Sequence, residues 1–170
     1  MPSIEKKISG DGSMLRIGEA GAKGKGVFAA RPIEPGELVW DYAGDEKWIK
    51  EIPSELWRYC FQVDYDRYVV PMEGSAGWFM NHSCAPDCVI MGSTRIIALR
   101  RINPGEEITF DYSTNAGWDD FSMECSCGRK ECRKVVRSYR FLPDEVKGHY
   151  GGCVSGFLLR STTPSSGASQ

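Results

Sequence analysis

Gly77-Trp78-Phe79-Met80-Asn81-His82-Ser83-Cys84-Ala85-Pro86-Asp87-Cys88 is the stretch on which the reading of this chain turns. Its centre sets an amide, an imidazole, a hydroxyl and a thiol side by side in Asn81-His82-Ser83-Cys84. Asn and His each bring several donors and acceptors, so such a run can grip a polar ligand with side chain and backbone together. Cys84 and Cys88 add two thiols suited to a metal. A polar loop closed by Pro86 would account for four residues alone. Two downstream stretches give the run its weight: Glu106-Glu107-Ile108-Thr109-Phe110-Asp111-Tyr112, and Cys125-Ser126-Cys127-Gly128-Arg129-Lys130-Glu131-Cys132. Upstream, Gly24-Lys25-Gly26-Val27-Phe28 is a glycine-rich turn followed by strand residues, which separates it from the dinucleotide fingerprint, where a helix follows.

NHSC, then EEITFDY, then CxCGxxxC, with GKGVF before them, resembles the SET-domain protein lysine methyltransferases that carry a post-SET zinc loop. The resemblance runs from Leu15 to Val136. It implies a mostly β fold of small curved sheets with a knot-like crossing, in which the segment after NHSC passes under a loop. It also implies a division into an N-terminal arm (1–14), a SET domain (15–114), a post-SET loop with the zinc site (115–137), a C-terminal extension (138–160) and a disordered tail (161–170).

The chemistry implied is methyl transfer from the sulfonium of S-adenosylmethionine to a lysine side-chain amine in a protein or peptide. A free lysine has a pKa near ~10.4 and is protonated at neutral pH, so the site must take the deprotonated amine and align it. A tyrosine hydroxyl orients the reacting groups without adding a charge, and Tyr112 matches the catalytic tyrosine of the family's DY motif. Tyr42 matches the second tyrosine of the lysine channel, and Phe110 the position that sets how many methyls are added. Gly24, Lys25 and Gly26 match the loop that holds the amino-acid end of the methyl donor. Asn81 and His82 match the pair at its adenosine side, with Tyr59 and Val136 lining the same pocket. Many relatives have Arg where this chain has Trp78, so stacking there would replace a charged contact.

Zinc takes four tetrahedral ligands, and Cys125, Cys127 and Cys132 supply three thiolates. Cys84 is the family match for the fourth, with Cys88 as its competitor close by in sequence. An all-thiolate site is closed, hence structural. Lys134 stands where the family usually has glycine after the Cys-Arg pair.

Composition narrows the classes further. The chain's 170 residues, 41% of them hydrophobic, fit one domain with a real core. A formal net charge of −2 opposes a nucleic-acid-coating protein, and no apolar run reaches membrane-spanning length. Seven cysteines read as metal ligands and core thiols rather than disulfides, in a soluble, monomeric, intracellular protein of the cytoplasm or of chromatin. The basic run Arg129, Lys130, Arg133, Lys134, Arg137 and Arg140 reads as a solvated face, and Asp119, Asp120 and Glu124 as an acidic lip for a basic peptide. Two other classes remain open: a catalytically silent SET module that binds peptides or scaffolds a complex, and a zinc-stabilised nucleic-acid binder.

Locally, Leu15–Ile17, Val27–Ala30, Leu38–Tyr42, Tyr59–Val63, Tyr68–Val70, Cys88–Met91, Arg95–Leu99 and Ile108–Tyr112 are predicted strands. Pro-Gly turns at 33–37 and 102–106 feed two of them. Ser54 is predicted to cap a short helix through Arg58, Pro143–Lys147 to form one helical turn, and Asn115–Glu124 to be polar and flexible.

Overall fold

The computed structural model describes residues 14–160. The tail expected to be disordered and all of the predicted arm except Met14 lie outside the described residues. Met14 itself packs on the core, and its carbonyl accepts a hydrogen bond from Ala30 N at 2.8 Å.

β-branched and aromatic residues come in short runs cut by Gly or Pro turns, and the chain folds into short strands accordingly. β1 (Leu15–Glu19) and β2 (Lys25–Ala29) make an antiparallel hairpin. β3 (Leu38–Asp41), β4 (Glu46–Trp48), β5 (Phe61–Asp64) and β6 (Arg67–Val69) follow, then the single-turn helix α1 (Ala76–Phe79) and the two-residue strand β7 (Asn81–His82). The remainder is β8 (Cys88–Met91), β9 (Arg95–Ala98), β10 (Glu107–Phe110), β11 (Ser122–Glu124), β12 (Val135–Arg137), α2 (Asp144–Tyr150) and α3 (Gly156–Arg160). The sheet orders are β1-β2-β10-β7, β3-β9-β8, β4-β6-β5 and β11-β12.

The two Pro-Gly turns have one geometry. Gly36 and Gly105 sit at φ 85° and 87°, the third position of a type II turn after proline. Glu37 N and Glu106 N close the turns onto Glu34 O and Asn103 O, each at 3.0 Å. The residues that enter them, Ile33 and Ile102, exchange both backbone hydrogen bonds at 2.9 Å and are fully buried. The repeated sequence is thus a pair of turns joined through the Ile33–Ile102 bridge, one leading into β3 and the other into β10.

The β8–β9 hairpin separates two apolar cores. Side chains alternate along a strand, so Cys88, Ile90, Ile96 and Ala98 face the main core with Val27, Ile108 and Phe110. Val89 and Ile97 face the other way, onto Leu142, Tyr150, Val154, Phe157 and Leu158. The C-terminal helices therefore cover a sheet face that would otherwise be open.

Several local expectations change. Ser54 begins a 3-10 helix that runs to Tyr59, but its hydroxyl makes no cap; Pro53 holds that place. The strand after it consequently starts at Phe61 rather than Tyr59. The segment 115–124 is not a loose polar loop. Asn115 is buried and holds the Gln62 backbone at both ends (Gln62 N to Oδ1 2.9 Å, Nδ2 to Gln62 O 2.7 Å), and β11 closes the segment. The turn at Pro143 extends to Tyr150, where Gly151 ends it in the left-handed region. β4 lacks the apolar alternation that marks a strand, being exposed at all three residues, and forms by pairing with β6.

Candidate active site

β7 runs parallel to β10, with Asn81 opposite Thr109 and His82 opposite Phe110, so the NHSC and TFDY segments lie side by side. β10 ends at Phe110; Asp111 then caps a 3-10 turn over Tyr112–Thr114, its carboxylate accepting from Ser113 N at 3.0 Å. Tyr112 is therefore held just past the strand, not within it. Its hydroxyl donates to Met80 O at 2.9 Å and its backbone N–H to His82 Nδ1 at 3.1 Å.

That last bond fixes the histidine. With Nδ1 accepting, the proton of neutral His82 sits on Nε2, which lies 3.3 Å from Cys84 Sγ. Burial, helped by the Arg133 and Lys23 charges and opposed by Asp111, lowers the imidazole to about 4. His82 is thus neutral at neutral pH with both nitrogens occupied by protein, so any contact to a ligand falls to its backbone.

Beside Tyr112 opens a cavity of about 470 Å³ whose walls include Tyr42, Tyr59, Phe61, Trp78 and Phe110. Tyr42 stacks on Phe61 at 4.0 Å and donates its hydroxyl to Gly77 O at 3.1 Å. Tyr59 stacks on Trp78 at 3.9 Å, and the Phe110 ring lies 5.0 Å from that of Tyr112. Burial raises the phenols of Tyr42 and Tyr112 well above their usual range, and the Glu107 carboxylate adds to the effect at Tyr112, so both remain neutral hydroxyls. Such a chamber disfavours an ammonium stripped of water and tilts a lysine toward its free amine. A larger groove of about 620 Å³ runs along β3 and shares only Tyr42 with these walls. We place the candidate chemistry in the smaller cavity, because it alone contains Tyr112.

A second group of residues gathers at the start of β2. Gly24 has φ 76°, whereas Gly26 is required for a different reason: a Cβ there would lie 2.8 Å from Glu107 Oε1 and 3.0 Å from Asn81 Nδ2. Asn81 Nδ2 donates to Lys25 O at 3.0 Å and to Glu107 Oε1 at 2.9 Å, and Glu107 also pairs with Lys23. Lys25 points its ammonium over Phe79, 5.4 Å from the ring.

Four sulfurs form the third group. Those of Cys84, Cys125, Cys127 and Cys132 all lie within 4.8 Å of one another, with Cys84 and Cys125 at 3.8 Å. Four sulfurs each ~2.3 Å from one ion stand ~3.8 Å apart in a tetrahedron, so the cluster fits a thiolate-bound metal. Cys84 receives two donors, Arg133 N at 3.4 Å and the His82 Nε2–H, although burial pushes its thiol up to about 12. Burial opposes ionisation of Cys127 too, but the hydrogen bonds around it together bring that thiol down to about 7. Cys88, the competing fourth ligand, is instead fully buried on β8 in the main core.

A family model described as SET domain matches residues 24–113. This chain belongs to the SET-domain family. Over 130 residues it is 41% identical to "Histone-lysine N-methyltransferase trithorax" of Drosophila virilis, covering 66% of this chain and 3% of that protein. Over 129 residues it is 35% identical to "Histone-lysine N-methyltransferase 2B" of Homo sapiens, covering 66% and 5%. The chain thus spans a small fraction of these relatives' own length. A solved complex of KRYPTONITE with mCHH DNA, H3(1-15) peptide and SAH superposes with a TM-score of 0.54 at 26% identity, covering 72% of this chain and 29% of that one.

Within this SET domain the sequence-predicted residues fall into those three groups. Tyr112, Tyr42, Phe110, Tyr59 and Trp78 share the aromatic cavity. Lys25 and Gly26 meet Asn81, with Gly24 just before them at positive φ, and Val136 is buried in one cluster with Cys84 and Cys125. Sequence reasoning passed over Glu107, which holds Asn81, and over Asp111, which no spacing rule marks as a hub. Arg133, predicted on a solvated face, makes a two-pronged pair with Asp111 (Nη1–Oδ2 2.8 Å, Nη2–Oδ1 2.7 Å). Asp119 of the expected acidic lip is paired with Arg140, while Asp120 borders the cavity. No helix among the described residues is long and apolar enough to cross a membrane.

Lys134 keeps the backbone that the family's glycine would take. It is the non-glycine residue with positive φ, 65°, among the described residues. A side chain there costs about 1 kcal/mol relative to glycine. Lys134→Gly is expected to raise stability by about 0.5–1 kcal/mol, less what glycine's freedom gives the unfolded chain. A denaturation midpoint that falls in this variant, at unchanged metal content, would contradict the strain.

Proposed function

We propose that this chain is an S-adenosylmethionine-dependent protein lysine N-methyltransferase whose aromatic cavity is the lysine channel. The observation that carries the reading is the Tyr112 hydroxyl, held neutral at the wall of an aromatic cavity, just past the strand that pairs with Asn81 and His82. The names of the relatives and the SAH and H3(1-15) peptide bound in the KRYPTONITE complex support it. S-adenosylmethionine supplies the methyl group. In this chain, Gly26 leaves the β2 backbone bare beside Asn81, so both can approach the donor, with Lys25 and the His82 backbone beside them. Tyr59 and Trp78 give stacking surface. Tyr42 and Tyr112 orient the amine and exclude water.

Residues 15–114 are taken as the SET domain and 115–137 as the post-SET segment. Zinc is the metal proposed for Cys84, Cys125, Cys127 and Cys132, since a closed all-thiolate tetrahedron is its usual structural site. The substrate is a lysine-containing protein or peptide, with Asp120 placed to favour a basic one. The trithorax-type names point to histone tails and to chromatin as the first substrate and location to test.

Transfer of label from methyl-labelled S-adenosylmethionine to an array of histone and non-histone lysine peptides tests the reading. Label on a lysine peptide is expected. Donor binding by calorimetry without transfer to any peptide would instead support a silent peptide-binding module.

Phe110 bears on the product. A tyrosine at this position would hold a water where a methyl must turn, whereas phenylalanine lets that water leave at a cost set by its other partners. The wild type is therefore expected to reach di- or trimethyl-lysine, and Phe110→Tyr to shift the product toward monomethyl. Mass spectrometry of a single-lysine peptide over many turnovers decides it; monomethyl alone from the wild type would defeat this assignment.

A further inference from the structure

Residues 139–160 lie beyond the matched SET region, yet their contacts converge on the turn that carries Tyr112. Tyr150, the last residue of α2, donates its hydroxyl to Asp111 Oδ2 at 2.6 Å. Ser155 N donates to Thr114 O at 2.9 Å, and its hydroxyl oxygen accepts from Asn115 Nδ2 at 2.6 Å. Phe157 packs so closely on Gly117 that a Cβ there would lie 2.6 Å from the ring. Every residue from Asp111 to Asn115 is thus braced from the C-terminal side or by its own turn.

Asp111 is the focus of this bracing. Its side chain is fully buried. A carboxylate has about four acceptor sites, and four donors occupy them: Ser113 N, the two Arg133 nitrogens and the Tyr150 hydroxyl. Oδ2 takes only Arg133 and Tyr150, so without the phenol the carboxylate can roll about the Arg133 pair. Asp111 caps the turn whose first residue is Tyr112, and a rolled cap moves the Tyr112 backbone N–H away from His82 Nδ1. The Tyr112 ring, and with it the hydroxyl, would then lose its fixed position.

We propose that Tyr150 is a positioning residue for Tyr112, acting through Asp111. This rests on the lysine methyltransferase reading above. Tyr150→Phe keeps the ring in the second core and removes only the hydroxyl. Because misplacing a reacting group by an ångström costs up to about a hundredfold, kcat is expected to fall about ten- to a hundredfold. KM for the peptide, the dissociation constant of the methyl donor and the metal content should stay within about twofold, since none of their ligands is touched. Leu158→Ala serves as the control for helix integrity, because Leu158 is buried in the same core. It should lower the melting temperature more than Tyr150→Phe and leave kcat near wild type well below that temperature.

Normal kcat in Tyr150→Phe, or an equal loss in Leu158→Ala, would overturn the proposal. Amide hydrogen exchange at Tyr112 and Ser113 gives a readout that needs no activity: faster exchange at those two amides in Tyr150→Phe is expected, and unchanged exchange would overturn it. If the wild type transfers no methyl group, the enzymatic reading fails on its own, and exchange still decides whether Tyr150 holds the turn.

Discussion

Tyr112→Phe should abolish most methyl transfer while leaving the methyl donor bound. Its ring contributes to the cavity wall through contacts to Phe110 and His82, which phenylalanine reproduces. What disappears is one hydroxyl, 2.9 Å from Met80 O. Losing a single preorganised hydrogen-bonding group that acts in the transition state costs about 100- to 1,000-fold in turnover. The dissociation constant of the donor, measured by calorimetry, should change by no more than a few-fold, because the interaction acts in the transition state rather than in binding. Turnover near wild type in this variant would remove Tyr112 from the chemistry.

Metal removal has the other large effect. β11 and β12 bury one aliphatic side chain fully, Val136, worth about 1.5–3 kcal/mol. Ordering a residue's backbone costs about 1–2 kcal/mol, so that burial cannot hold the segment by itself. Structural zinc in small peptides supplies about 10–16 kcal/mol, enough to decide the outcome. We therefore expect one zinc per chain by elemental analysis under reducing, chelator-free conditions; finding none would refute the ligand assignment. Cys127→Ser, or a strong chelator, should release the ion and expose the amides of 117–137 to exchange while the strand core survives. Breaking the buried Arg133–Asp111 pair in the process costs a further 3–5 kcal/mol or so, which should carry the disturbance to the Tyr112 turn.

Much of this was legible before any coordinates. The strand pairs rest on short-range patterns: type II turns from Pro-Gly, and alternation in Cys88–Met91 and Arg95–Ala98. The cysteine cluster was legible because ligand spacing is a geometric constraint that sequence expresses directly. The choice of Cys84 over Cys88 was legible only through the family resemblance, since four residues along the chain separate a thiol facing the cluster from one facing the main core. The hub at Asp111 was also hidden: its partners Arg133 and Tyr150 are 22 and 39 residues away, and long-range ion pairs leave no period to read. Arg133 illustrates the same difficulty, because within a run of basic residues only the fold says which one turns inward.

The β8–β9 hairpin has one more consequence. Val89 and Ile97 on one face, and Ile90 and Ile96 on the other, belong to two cores at once. A sheet with apolar residues on both faces cannot serve as an outer wall. The signature by which the family is matched stops at residue 113, but the cooperative folding unit does not. A fragment cut after β12 would carry the whole catalytic signature and still present a sticky, half-finished sheet to water, open to edge and face association. For this chain, the part that identifies it and the part that must fold together have different lengths.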